Sequence, residues 1–338
     1  MFSVAEDSYA CAVRELRDEF GRALKVERLG PDLGVLTTAA PKVGEVAAAC
    51  ARRPLVFLRH LSLEVARVEG ADAAELRAVR AAALSVVTSH VTCSTLAVHT
   101  WAIGAPRIGY SSGDLFTLLA TDLAAHGIAV ARAGCQHILS CCITPSGVCI
   151  GLNRAEDSLA DWPGGRVRLA RDTTQISRAE FKLEELFQLF PLDLPEKGRA
   201  VDLGASPGGW TRILRQRGMT VWAVDPGDLD PRVAADSEVH HARTTAGEFF
   251  RSTDKTFDLA VNDMRMDPLV TSEVMIDTAR HLRPGGLAIV TLKTGTRQPV
   301  ETVRRCLAIL GRAYEIKHAR QLHHNRHEVT VVARRKLA

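Results

Sequence analysis

The sequence predicts an α/β protein whose second half is a mostly parallel, helix-covered sheet ending in an antiparallel hairpin. Three features carry this expectation. From Arg166 onward, short β-like runs alternate with helix-like segments, the order that builds a parallel sheet. A glycine-rich stretch, DLGASPGGW (Asp202–Trp210), sits where the first of those runs meets the next helix. At the far end, YEIKHARQLHH and HEVTVVARR follow one another with only a short Asn-Arg turn between them.

The clearest break in the chain is the turn-rich segment NRAEDSLADWPGG, residues 153–165. Before it, the β-like runs PLVFLRHLSLEV, LAVHTWAI and HILSCCIT alternate with the helix-like segments ADAAELRAVRAAALSVV and SGDLFTLLATDLAAHG. Residues 1–70 and 71–165 are read as two small α/β regions. After the break comes a helix carrying Ile176, Phe181, Leu183, Leu186, Phe187 and Phe190. Strand RAVDL, helix GGWTRILRQRG, and strands TVWAVD and TFDLAVND follow it. Helix SEVMIDTARHL, strand GLAIVTLK and helix VETVRRCLAIL then lead to the hairpin, which makes 166–338 the third region.

With 338 residues, the chain is long enough for two or three domains with cores of their own. The only long low-charge stretch, Ile138–Leu152, is interrupted by Ser, Thr, Pro and Gly, so no membrane span is expected. The start, MFSVAEDSYACAVRELRDEF, lacks the basic and apolar regions of a signal peptide, which makes the cytoplasm the default expectation. Eight cysteines without any C-x-x-C pair read as reduced, buried thiols and not as a disulfide framework or a zinc site. The net charge of +4 is too mild to name a polyanionic partner. Its distribution is more telling: seven Lys or Arg against two acids over Gly311–Ala338, and five against two over Gly164–Lys182. Such segments suit a phosphate backbone, or equally an ordinary solvated face.

The glycine loop narrows the ligand. Its glycines fall at 204, 208 and 209 and miss the G-x-G-x-x-G spacing of a dinucleotide site. Pro207 stiffens the loop but supplies no N–H, so a ligand with a carboxylate and an amine fits better than a pyrophosphate. Asp225 closes the second strand 23 residues beyond Asp202, where an acid accepts hydrogen bonds from ribose hydroxyls. Loop and acid together imply a nucleoside cofactor, and S-adenosylmethionine (SAM) meets both conditions; a plain strand-to-helix turn is the alternative. The terminal hairpin is the arrangement of class I SAM methyltransferases, a Rossmann-like fold, and not of nicotinamide dehydrogenases.

DLGASPGGW resembles the DLGA-x-PGGW motif of the FtsJ-like ribose 2'-O-methyltransferases, and SRAEFKLEEL (Ser177–Leu186) resembles their SRA-x-KL-x-E segment. With NDM (262–264), TLK (291–293) and HNRHEVTVVARR, the resemblance is to the RlmM-type subfamily, which methylates large-subunit ribosomal RNA. It covers Arg166–Arg335. The resemblance implies a catalytic tetrad of Lys182, Asp263, Lys293 and Glu328. It implies a SAM site drawn from Ser177, Asp202, Gly204, Ser206, Pro207, Gly208, Gly209, Trp210, Asp225 and Asp263. It further implies an RNA partner, no metal, and a THUMP-like RNA-binding domain at 71–165, although no motif in that region is diagnostic. Ser206 departs from the family's usual Ala or Cys.

The chemistry accounts for these residue types. A ribose hydroxyl is a poor nucleophile until its proton is lost, so such a site must align two reactants and supply a base. Lys293 is the expected base, with the neighbouring Lys182 cation and desolvation favouring its neutral form. Asp263 is expected to orient the ammonium and reach the cofactor, and Glu328 to hold Lys182 and position the ribose. Taken singly, each residue has a plainer reading: a surface Lys182, a helix-capping Asp263, a strand-end Lys293 and a cross-strand pair at Glu328. Ser177 is expected either to touch the cofactor or to cap the helix that carries Lys182, and Trp210 to pack beside the cofactor or in the core. His323, His324 and His327 suit RNA contact or solvent better than metal. Transfer RNA or another RNA as acceptor, and a catalytically silent RNA-binding assembly factor, are the competing functions.

Overall fold

Seven strands form the sheet of the second half: β1 (Arg199–Leu203), β2 (Thr220–Val224), β3 (Val239–Ala242), β4 (Phe257–Asn262), β5 (Leu282–Leu292), β6 (Tyr314–Arg320) and β7 (Val329–Arg335). Their order is β3-β2-β1-β4-β5-β7-β6. Strands β1 to β5 are parallel, and β7 inserts antiparallel between β5 and β6. This computed structural model describes all residues except 39, 53, 71–72, 105–108, 171–172 and 338. The chain divides into two units, Met1–Val167 and Arg168–Ala338.

The mostly parallel sheet with its antiparallel ending is the expected one, and its central strands show why. RAVDL is buried at four of five positions, as a strand covered on both faces must be. Helices α1 (Glu180–Leu189) and α2 (Gly209–Gln216) place Leu183, Leu186, Trp210 and Ile213 in one core with Val221, Leu259, Ile289 and Val332. Each fully buried aliphatic side chain there contributes about 1.5–3 kcal/mol relative to exposure.

Two details of this half differ from the sequence reading. Between β2 and β4 lie a one-turn helix, Pro231–Ala234, the strand β3 and the helix Ala246–Ser252, none of which the sequence pattern announces. The β3 segment VHHA is a partly exposed edge strand, so it lacks the apolar run that marks its neighbours. The terminal strands are separated by an eight-residue loop, 321–328, and not by a short turn. Buried Asn325 ends the pairing: its carbonyl accepts from the Leu322 N–H (2.8 Å) and the Thr330 hydroxyl (3.1 Å), satisfying the loop locally.

The first unit holds two sheets. Strands Lys25–Arg28, Leu33–Thr38, Phe2–Ser3 and His60–Leu61 make an antiparallel four-stranded sheet in that order. A mixed five-stranded sheet runs Glu64–Glu69, Gly147–Arg154, His137–Thr144, Thr95–Ala102 and Ala129–Ala131. Helices Ala73–His90 and Ser112–Ala125 share its core through Val79, Val87, Leu115 and Leu119. The expected boundary between 70 and 71 abuts residues outside those described, and Glu64–Glu69, just before it, belongs to the five-stranded sheet. The run PLVFLRHLSLEV is not one strand. Leu55–Leu58 are buried without ladder pairing, and the Phe57 N–H donates to the Glu15 carboxylate (3.2 Å). All eight cysteines are free; burial pushes the Cys141 and Cys149 thiols up to about 12, which keeps them protonated.

Candidate active site

Parallel strands deliver their carboxyl ends to one edge of a sheet, and the chemically distinctive residues of the second unit gather there. Asp202 is the penultimate residue of β1; Asp225, Asp263 and Lys293 directly follow β2, β4 and β5. Glu328 directly precedes β7, whose first residue, Val329, pairs with Leu292, the last of β5. An antiparallel strand therefore brings its amino end to the edge where its neighbour stops. Lys182 comes from α1.

The glycine loop is built on backbone geometry that a side chain would block. Gly204 has φ +78°, and a Cβ there would lie 2.5 Å from the Met264 Cγ. Gly208 adopts the left-handed conformation at the start of α2. A Cβ on Gly209 would meet the Ser177 hydroxyl at 2.3 Å, so the loop and the segment before α1 touch closely. Ser206 and Pro207 are joined by a cis peptide bond. The Ser206 N–H donates to Asp225 Oδ2 (3.1 Å) and the Gly227 N–H to Oδ1 (2.7 Å), so backbone groups orient this carboxylate while each oxygen keeps a lone pair for a ligand. The Ser206 hydroxyl donates to the Asp228 carbonyl (2.7 Å).

Asp202 is buried and accepts a hydrogen bond from the Thr211 hydroxyl (2.7 Å), tying β1 to α2 beneath the loop. Burial pushes its carboxyl up to about 7, against the opposing hydrogen bonds from Thr211. Trp210 is buried, and its indole N–H donates to the Ala179 carbonyl (2.7 Å), which fastens α2 to the start of α1. Ser177 does not cap α1, whose N-cap residue is Ala179. Its backbone N–H and that of Ile176 instead donate to Glu180 Oε1 (3.0 and 2.6 Å), while Glu180 Oε2 receives Arg212 Nη1 (2.6 Å). Glu180 thus shapes the segment that contacts Gly209; only the buried position of its carboxylate reveals this, and the sequence offers no signal for it.

The four charged residues close into a ring. Lys182 Nζ lies 3.1 Å from both Asp263 oxygens and 2.7 Å from Glu328 Oε2; Lys293 Nζ lies 3.0 Å from Glu328 Oε1 and also bonds Asp263 Oδ1. Their side chains are between 13% and 20% exposed, so solvent screens them only in part. Burial works against the Lys182 ammonium, but Asp263 and Glu328 outweigh it and hold its pKa above the ordinary lysine value. Burial likewise works against the Glu328 carboxylate, and Lys182 and Lys293 outweigh it and hold its pKa below the ordinary glutamate value. Asn325 Nδ2 donates to Glu328 Oε2 (3.3 Å), a support absent from the sequence reading. Asp263 does not cap a helix: the cap of Pro268–Thr278 is Asp267.

Loop and ring open into one cleft of about 1380 Å³, which exceeds the ordinary range for one small ligand and accommodates two reactants. Among the described residues, no group of three or more His, Cys, Asp or Glu side chains is arranged to hold a metal ion. No helix of the described residues is long and apolar enough to cross a membrane.

Residues 175–326 match the family described as FtsJ-like methyltransferase. The chain is 43% identical over 177 residues to Ribosomal RNA large subunit methyltransferase M of Halorhodospira halophila, covering 52% of this chain and 51% of that protein. It is 36% identical over 202 residues to the protein of that name from Methylococcus capsulatus, covering 56% and 55%. For the Alkalilimnicola ehrlichii protein of the same name the identity is 36% over 223 residues, covering 63% and 60%. The matched segments span about half to three fifths of these curated relatives. The sheet order and the glycine loop belong to the same unit as this match, so the likeness to the FtsJ-like methyltransferase family lies in residues 175–326 of the second unit.

Proposed function

We propose that the protein is a SAM-dependent ribose 2'-O-methyltransferase acting on large-subunit ribosomal RNA. The observation that carries this reading is the ring of Lys182, Asp263, Lys293 and Glu328 in the same cleft as the glycine loop. The names of the curated relatives support the acceptor RNA.

The loop fits a nucleoside bearing an amino-acid tail. Gly204 and Gly209 line the cleft as bare backbone, Asp225 is oriented to accept from ribose hydroxyls, and Asp263 lines the same cleft. Ser177, Ser206, Pro207 and Trp210 complete that wall, with Asp202 as the strut behind it. SAM, when bound, supplies a methyl group already activated on a sulfonium. The chain's own residues prepare the acceptor. Lys293, once its ammonium has released a proton to solvent, takes the proton of the ribose 2'-hydroxyl as the hydroxyl oxygen bonds the methyl carbon, Asp263 fixes the Lys293 amine, and Glu328 holds Lys182 and the ribose in register. Because each ammonium already bonds both carboxylates, the acceptor hydroxyl must break into the ring to reach Lys293. We further propose that 71–165 is a THUMP-like domain contributing RNA contacts by shape and phosphate recognition; its mixed sheet covered by two helices supports this.

The test is transfer of labelled methyl from SAM to unmodified ribosomal and transfer RNA, with the product mapped. A 2'-O-methyl nucleotide in large-subunit RNA that disappears with Lys293→Ala is the expected result. A base-methylated product, or exclusive labelling of transfer RNA, sinks the reading; binding of SAM without labelling of any RNA favours the silent assembly factor.

A further inference from the structure

A second cluster lines the same cleft beside the ring. Glu185 of α1 is fully buried, and its carboxylate serves the 321–328 loop: it accepts from the His323 N–H (2.6 Å), the His324 N–H (2.8 Å) and His324 Nδ1 (2.7 Å). A carboxylate only accepts, so Nδ1 carries a proton, and Nε2 remains as the polar atom of that imidazole. The ring packs face to face on Phe181, with centroids 5.1 Å apart and planes 27° apart. Phe181 directly precedes Lys182, and His324 stands four residues before Glu328, so the ring pair rides on the two segments that supply half of the charged ring. Arg178 and Arg326 line the same cleft, are exposed, and have no ion-pair partner among the described residues.

Burying a carboxylate is costly unless it is fully bonded, and an apolar residue at 185 would pack α1 as well. What Glu185 adds is a fixed imidazole in an open cleft. A flat ring pair flanked by unpaired guanidinium groups is the chemistry that holds a single-stranded nucleotide, with the base on the rings and phosphates on the cations. Aligning one hydroxyl to a fraction of an ångström also requires a larger handle than the ribose itself.

We infer that Phe181 and His324 seat a nucleobase of the acceptor strand next to the charged ring, with His324 Nε2 hydrogen-bonding that nucleotide and Arg178 and Arg326 contacting its flanking phosphates. This rests on the RNA methyltransferase reading above. It makes Phe181, His324 and Glu185 positioning residues that act on the RNA and leave the cofactor alone.

The experiment measures KM and kcat for an unmodified large-subunit ribosomal RNA transcript, alongside SAM affinity, for wild type, Phe181→Leu, Phe181→Tyr, His324→Ala and His324→Phe. Phe181→Leu is expected to raise the RNA KM on the order of ten-fold or more, with SAM affinity within about two-fold of wild type. Phe181→Tyr, which keeps a ring, recovers most of that loss, and His324→Phe, which keeps stacking but loses Nε2, falls between wild type and His324→Ala. Arg178→Ala and Arg326→Ala each lower the slope of RNA affinity against salt by about one. An unchanged RNA KM in both Phe181→Leu and His324→Ala, while wild type remains active, overturns the nucleobase seat alone. Equal loss of SAM affinity in these variants overturns it too, since the rings would then serve the cofactor or the fold. A wild type that labels no RNA removes the underlying reading together with the seat.

Discussion

Lys182 and Lys293 share the same two carboxylates: each ammonium bonds both Asp263 and Glu328. Two cations and two anions therefore form a closed, formally neutral set. The sequence reading had Lys182 favouring a neutral Lys293 with Asp263 opposing it; in the structure both acids bond both ammonium groups and offset that repulsion. Removing Lys293 leaves Lys182 with both acids, so the fold tolerates the loss. Lys293→Ala is expected to lower methyl transfer by 10²–10⁴, the usual range for a missing general base, with SAM affinity nearly unchanged. Single-turnover transfer rates and calorimetric SAM binding check this; an active Lys293→Ala protein would refute the base assignment.

Gly209 and Ser177 are in closest approach between the loop and the segment before α1. Gly209→Ala must turn the Ser177 hydroxyl away and crowd the Glu180 side chain, at about 1–3 kcal/mol. SAM affinity is expected to fall at least ten-fold, with a lower Tm. Unchanged affinity by calorimetry would show that the contact has no bearing on the cofactor.

Glu180 is buried and satisfies two backbone N–H groups and Arg212. Glu180→Ala removes the acceptor of the two N–H groups and of Arg212 Nη1, while Arg212 Nη2 keeps the Thr174 hydroxyl, a loss of about 3 kcal/mol. Urea denaturation reads it as a lower midpoint with an unchanged slope.

Asp202 supplies a pH dependence of definite sign. Its carboxyl, near 4 when unfolded and raised to about 7 by burial, keeps a proton in the folded state that the unfolded chain has lost. This contribution is fully present below about pH 4 and declines as pH rises to about 7, by at most about 1.4 kcal/mol per pH unit. Glu328, held below its ordinary value, acts in the opposite sense and at lower pH: its contribution is present above the unfolded glutamate pKa and is lost as pH falls through the folded one. Between pH 5 and 7 Asp202 is opposed by His60 and His318, whose imidazoles burial holds down at about 3 and about 4 and which make stability rise with pH, so the share of Asp202 is read as the difference between wild type and variant. Asp202→Asn is expected to make stability rise more steeply with pH there; an identical slope in the variant would contradict the assignment.

Much of this site was legible in the chain because strand ends are. DLGASPGGW, NDM and TLK each follow an apolar run, and a parallel sheet carries all such positions to one edge. The edge strand VHHA was not legible, since exposure removes the apolar signal and pairing alone makes it a strand. The loop at 321–328 was read as strand and turn because LHH continues an apolar-polar alternation that Asn325 ends through its side chain. Glu180 and Glu185 look like ordinary surface acids of a helix; what they do is set by partners 32 and 138 or more residues away. Such roles belong to tertiary geometry.

Strand β7 is the last of the seven in the chain but lies between two others in the sheet. Glu328 enters the ring only when β7 pairs with β5, whereas the glycine loop and Asp225 rest on α1 and β1 to β4, all of which precede it in the chain. During synthesis a nascent chain could build its cofactor pocket well before its reactive centre. On the function proposed above, such a chain holds its methyl donor while still unable to spend it, and competence arrives in one step with the threading of a single strand.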